Sequence, residues 1–190
     1  GADVHRYHTA QSTEYVLFER PKKSGGCWNA DVHLAPHKIL VRQIGVVPTA
    51  SMISDPIAVT GNIFTVRTSS LMDDKFILAI INSKLIAYFW GILFTDFKTS
   101  FPQVTIFSLS QVPIRKIDHS RSDDKVQHNR MVTFVEQMLD LHKNIASVKT
   151  GHQKTIIQRQ IDSTNAEIDR LVYTLYGLTE EEIKIVEGGK

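Results

Sequence analysis

Glu167-Ile168-Asp169-Arg170-Leu171-Val172-Tyr173-Thr174-Leu175-Tyr176-Gly177-Leu178-Thr179-Glu180-Glu181-Glu182-Ile183 reads as the end of one helix, a glycine stop and the start of a second. Thr179 with Glu182 has the spacing of a capping box, in which hydroxyl and carboxylate each satisfy a free amide of the first turn. Behind the stop, Ile157, Ile161, Thr164, Ile168, Leu171 and Leu175 recur at helical spacing and predict a helix from about Gln153 to Leu175. Further back, Val132, Val135, Leu139, His142 and Ala146 mark another, from about Lys125 to Val148; Met131, Phe134, Met138, Leu141 and Ile145 widen its stripe. Gly151 breaks the pattern between them. Two long amphipathic helices joined by so short a turn are predicted to fold back as an antiparallel hairpin.

Upstream the period changes. Residues 118–129 are polar and charged, which predicts a hinge between a lobe over 1–117 and the helical hairpin over 118–190. Within the lobe, Asp73 and Asp74 begin a helix to about Trp90, where Gly91 stops or weakens it; Phe76, Ile77, Ile80, Ile81, Leu85 and Phe89 supply the periodicity. Residues 92–105 return to loop or strand, and Phe107–Gln111 reads as a short helical turn before Pro113. Tyr15–Phe18, Lys38–Arg42, Ile57–Val59 and Ile63–Arg67 read as strands, being rich in β-branched and aromatic residues and bounded by turn-formers. Residues 1–12 are polar and histidine-rich, which predicts a loose opening segment. The expected class is α+β: a strand-rich lobe with a mixed or antiparallel sheet and a long helix, then the antiparallel helical hairpin.

Composition narrows the function. The 190 residues can bury a substantial core. The net charge of +2 divides unevenly, with 12 basic against 9 acidic residues over 1–120 and 10 against 11 beyond, so any polyanion would meet the first part. Cys27 is the only cysteine, which excludes an intrachain disulfide and a thiolate zinc cluster and fits a reducing, cytoplasmic setting. The most apolar run, Phe76–Phe94, is interrupted by Asn82, Ser83 and Lys84, so no membrane span is expected. The chain opens Gly-Ala-Asp, which we read as a start inside a longer protein.

Several residues suit DNA. Arg42 and Gln43 follow a hydrophobic strand and precede Gly45; arginine can grip guanine O6 and N7, glutamine adenine N6 and N7, and a strand end holds either rigidly. A solvated strand terminus would look the same. Arg20, Lys22 and Lys23 lie in a Ser-Gly-Gly loop able to follow a phosphate backbone, or merely to solubilise a turn. Lys98, Thr99 and Ser100 offer further donors, with Phe97 and Phe101 as anchors, and Arg67, Arg115 and Lys116 could add phosphate contacts. Asn82 and Ser83 interrupt an apolar helix; a buried amide needs a partner, and Asn82 is expected to bond to a neighbouring loop, with the Lys98 loop the candidate. Trp28 and Trp90 are expected to pack in the core. His5/His8 and His33/His37 have ligand-like spacing, but Pro36 disfavours a helical face for the second pair and no thiolate accompanies either, so no metal is expected.

Four segments together resemble a known family. Lys38-Ile39-Leu40-Val41-Arg42-Gln43-Ile44-Gly45, Leu78-Ala79-Ile80-Ile81-Asn82-Ser83-Lys84-Leu85, Phe107-Ser108-Leu109-Ser110-Gln111-Val112-Pro113-Ile114 and Glu167–Val186 resemble, in order, segments of the C-terminal specificity region of TaqI-like N6-adenine DNA methyltransferases and fused type II restriction–modification enzymes. The resemblance implies sequence-specific recognition of double-stranded DNA in the bacterial cytoplasm. It also implies an S-adenosylmethionine-dependent methyltransferase domain upstream in the same polypeptide, possible endonuclease activity of that parent, and a target adenine flipped from the helix.

Family enzymes hold the flipped adenine with an asparagine-proline-proline-aromatic motif, and consecutive prolines do not occur here. A glycine-rich strand-to-helix loop for the cofactor is lacking too, and Asp73-Asp74 reads as a helix start, capping and solvated, rather than a nuclease cluster. No serine sits in a nucleophile elbow. The expectation is therefore a non-catalytic recognition domain that itself binds no cofactor. The alternative is a protein-interaction module in which the helical hairpin dimerises or joins a partner subunit.

Overall fold

The computed structural model describes residues 4–10, 28–59, 61–94 and 102–188. The predicted strand Tyr15–Phe18 lies outside them. The chain begins with a small antiparallel hairpin, β1 (Val4–His5) and β2 (His8–Thr9). This corrects the expectation of a loose opening segment. Val4 and Tyr7 are buried, the Tyr7 amide donates to the Ala50 carbonyl at 3.0 Å, and the Arg6 guanidinium donates to Asn165 Oδ1 at 2.7 Å. Tyr7 adopts φ 57°, a left-handed conformation that costs a bulky residue about 1–2 kcal/mol and that its burial offsets.

A short helix, α1 (Ala30–His33), follows, with Asn29 accepting from the Asp31 amide as its cap. Then come β3 (Lys38–Arg42), β4 (Ala50–Ile53) and β5 (Ile63–Val66) in the antiparallel order β4-β3-β5. The register sets Val41 against Ala50 and Phe64, and Arg42 against Ile63. The central strand is buried on both sides, hence its unbroken Ile39-Leu40-Val41 run. Lys38 is also buried, and its ammonium donates to the carbonyls of His33 and Ala35, closing the C-terminal end of α1. Ile57–Val59 forms no strand; Pro56 precedes it and Ile57 instead closes a tight turn onto Asp55.

The predicted single helix over 73–90 is two, α2 (Leu71–Asn82) and α3 (Lys84–Leu93), bent by 57°. Ser83 breaks them with ψ 155°, and its hydroxyl accepts from the Ile86 amide. The Asp169 carboxylate accepts from the Lys84 amide at 2.9 Å, so two free amides of α3 are satisfied. Gly91 does not end α3; buried Trp90 holds the last turn, and Phe94 donates to its carbonyl. Asp74 is buried rather than solvated and accepts from the Thr68 amide at 2.6 Å.

After α4 (Ile106–Ser110) come α5 (Ser122–Ser147), α6 (Gly151–Tyr176) and α7 (Glu180–Val186). Arg130 faces Glu167 at 3.7 Å across the pair, so α5 and α6 run antiparallel. The break falls at Val148 and Thr150, and Gly151 is the first helical residue instead of the breaker. Gly177 ends α6 with φ 69°, a conformation glycine adopts without penalty, and both halves of the Thr179–Glu182 capping box form. One hydrophobic core runs from Tyr7 and the sheet through Phe76, Ile80 and Trp90 to Met131, Val135, Ile168 and Leu175. Among the described residues no single helix is long and apolar enough to cross a membrane.

Candidate nucleic-acid interface

The end of β3 carries two of the expected contact residues, Arg42 and Gln43. Arg42 is half-buried, its amide bound to Thr49 O at 2.9 Å. Its guanidinium lies against Gly45, where an added Cβ would stand 3.1 Å from Nη2 and 3.3 Å from the Val47 carbonyl. That glycine is therefore a close approach the arginine needs. The buried Nε of Arg42 has no hydrogen-bond partner among the described residues. Gln43 is tied on both sides: its amide donates to Asn62 O at 2.9 Å and its carbonyl accepts from the Val104 amide at 2.7 Å. Gly45 donates to Pro102 O at 3.0 Å, and Ile44 bridges to Gln103.

The chain thus returns to the end of β3 at Pro102, directly after the segment carrying Lys98, Thr99 and Ser100. Those three, like Arg20, Lys22 and Lys23, lie outside the described residues. Asn62 and Gln103, both exposed, flank Gln43 and bring two more amide side chains to the same patch, along with exposed Ile44 and Val46. Sequence reasoning missed both. Asn62 read only as part of a Thr-Gly-Asn turn, and Gln103 carried no pattern.

Arg67 stands elsewhere. Arg42 pairs with Ile63 at one end of the β3–β5 ladder, and Arg67 follows Val66 at the other, about 14 Å away at the strand rise. It donates to the Asp31 carbonyl at 3.4 Å and lines a shallow cavity of about 360 Å³ with Ala30, Leu34 and Pro36. Burial, with the nearby Arg67 charge, holds the Lys38 ammonium below the usual lysine range. Arg115 is engaged within the chain: its guanidinium pairs with Asp124 at 3.1 Å and donates to the Leu175 carbonyl, while its amide donates to Tyr176 Oη. It braces the connection between α4 and α5 against the end of α6. Lys116 beside it is exposed.

A buried polar cluster lies against β4. Asn82 clamps Ala50 with both ends of its carboxamide, Oδ1 accepting from the amide at 3.0 Å and Nδ2 donating to the carbonyl at 2.9 Å. Its partner is therefore β4. Near it, burial raises the Tyr7 phenol and the Asp169 carboxyl above their usual ranges; the Lys84 amide and the Arg6 charge partly offset the shift at Asp169.

These features define an α+β domain whose β3 end carries arginine and amide side chains. A family model for the TaqI-like C-terminal specificity domain matches residues 1–114. The chain belongs to that family, whose role is DNA recognition for methyltransferases and whose specificity domain is not itself catalytic. The match takes in three of the four resembling segments and the opening hairpin; Glu167–Val186 lies beyond it. No curated protein matches the chain.

Proposed function

We propose that the chain reads the target sequence of a restriction–modification adenine-N6 DNA methyltransferase, with methyl transfer from S-adenosylmethionine carried out by a methyltransferase domain upstream in the same polypeptide. The specificity-domain match over residues 1–114 carries this reading. Arg42 and Gln43 read base edges, Arg20, Lys22 and Lys23 hold phosphates, and Lys98, Thr99 and Ser100 supply further donors to phosphates or bases. The alternative, docking through the helical hairpin, is weakened because Met131, Val135, Met138, Ile161 and Ile168 are spent on the chain's own core.

The test belongs in the complete enzyme. Arg42→Ala should narrow the preference for cognate over random duplex by roughly 1–3 kcal/mol, the worth of one bidentate base contact. Changing Lys22 and Lys23 together should weaken both duplexes alike and flatten the salt slope by about 2. A cognate-to-random ratio unchanged by Arg42→Ala, in a variant that melts normally, would move base reading to the Lys98 segment.

A further inference from the structure

We propose that Asp73, His119 and His128 form a binding site for a zinc-class divalent cation. The three come from separate stretches: the first turn of α2, the connection before α5, and the second turn of α5. No sequence spacing announces them. One ligand atom of each lies within 4.8 Å of the others. His128 Nε2 is 3.1 Å from Asp73 Oδ1, close to the roughly 3.3 Å between neighbouring ligands of a tetrahedral zinc with bonds near 2.05 Å. The wider separations involve His119, the exposed member, which must swing inward to close the site.

The surroundings fix the other parts. The His128 side chain is 3 % exposed and its ring packs 5.2 Å from that of Phe76. Its Nδ1 faces Asn129 Oδ1 at 3.4 Å. A proton on Nδ1 would serve Asn129 and turn the Nε2 lone pair toward the Asp73 carboxylate. Two acceptors then face each other, and a cation satisfies both. Metal-bound histidines commonly donate their second N–H to such an outer partner. The backbone around His119 is held as well: Asp118 Oδ1 accepts from the Ser120 amide and hydroxyl, and the Asp118 amide donates to Asp124, itself paired with Arg115. The His119 ring already stands edge-on to His128 at 5.1 Å.

Two imidazoles and one carboxylate suit zinc, cobalt or nickel and not the all-oxygen shells of calcium or magnesium. Bound there, the cation would tie α2, inside the family-matched segment, to α5 beyond it. The experiment uses the untagged, metal-stripped 190-residue chain and Co²⁺ as probe. One equivalent should give a visible absorption band that Zn²⁺ removes, and Zn²⁺ should raise the melting temperature. His119→Ala, at an exposed position, should leave the metal-free melting temperature unchanged and weaken Co²⁺ binding at least about tenfold, no less than losing an outer-shell partner costs. Asp73→Asn, whose carboxamide can donate to or accept from His128 Nε2, should weaken it likewise. His8→Ala, in the stacked His5–His8–His142 group, should change nothing. The proposal is overturned if no band appears, if it survives His119→Ala, or if it depends on His8 instead.

Discussion

Asn82, Ser83 and Lys84 show how much structure three residues can carry. Their polar groups divide the work of this corner. The Asn82 amide clamps Ala50, the Ser83 hydroxyl caps α3, and Lys84 offers its amide to Asp169 and its ammonium to Glu187. Asn82→Ala would leave the buried amide of Ala50 without its partner, while the carbonyl keeps the Tyr7 amide. At about 1–3 kcal/mol for an orphaned buried group, chemical denaturation should report a loss of roughly that size. A loss below about 1 kcal/mol would mean that β4 is held by its ladder to β3 alone. The sequence announced that this amide needed a partner, because an amide inside an apolar helix must find one. It did not announce which, since Ala50 is 32 residues away and side-chain bonds over that span leave no periodic trace.

At the scale of elements, the two long helices were legible to within about three residues at each end, because each repeats its apolar stripe over 26 residues. Strand β4 was not. Ala50-Ser51-Met52-Ile53 lacks β-branched density, and it is a strand because β3 and the Asn82 clamp make it one. The split of α2 from α3 was hidden for a similar reason: the apolar period runs through Ser83, and of the two groups that cap the new start, the Ser83 hydroxyl and the Asp169 carboxylate, the second is supplied from α6. The candidate DNA patch was half legible. Arg42 and Gln43 stood out by residue type, whereas Asn62 and Gln103 reach it only through tertiary pairing. The seam between α5 and α6 gives the element-scale prediction. Ile161 is buried there, and Ile161→Asp places a carboxylate among apolar side chains. Thermal and denaturant unfolding should show a loss of several kcal/mol, on the order of 3–5; unchanged melting would mean that the stripe faces solvent.

Across the whole molecule, residues from both predicted segments share one core, and the N-terminal hairpin lies over their junction. His142 on α5 stacks on Tyr7 and His8, each ring centre 6.3 Å away, with Arg6 close by. Burial first, then His8 and Arg6, pull the His142 pKa below its usual 6.5. The folded state therefore prefers neutral His142, while the unfolded chain takes up a proton below about pH 6.5. Stability is intact above that pH and falls as pH drops through the folded value. Hydrogen exchange of residues 4–10, corrected for intrinsic rates, should accelerate between about pH 7.5 and 5.5 relative to the α5–α6 seam. His142→Asn should remove that difference; an equal acceleration in the variant would assign it to other groups.

The bond from Arg6 to Asn165 also imposes an order in time. The two residues are 159 positions apart, so Val4 and Tyr7 leave the ribosome long before the helix that completes their cover exists. At roughly 5–20 residues per second the interval is about 8–32 s, far longer than local hairpins need to form. Throughout it Val4 and Tyr7 can pack on the earlier strands, as the Tyr7–Ala50 bond shows, but Arg6 has no Asn165 to hold it. Translation arrested before residue 165 would leave the core without the α6 side chains Ile168, Leu171 and Leu175, so the released chain should be a substrate for chaperones and proteases in place of a partly working recognition domain.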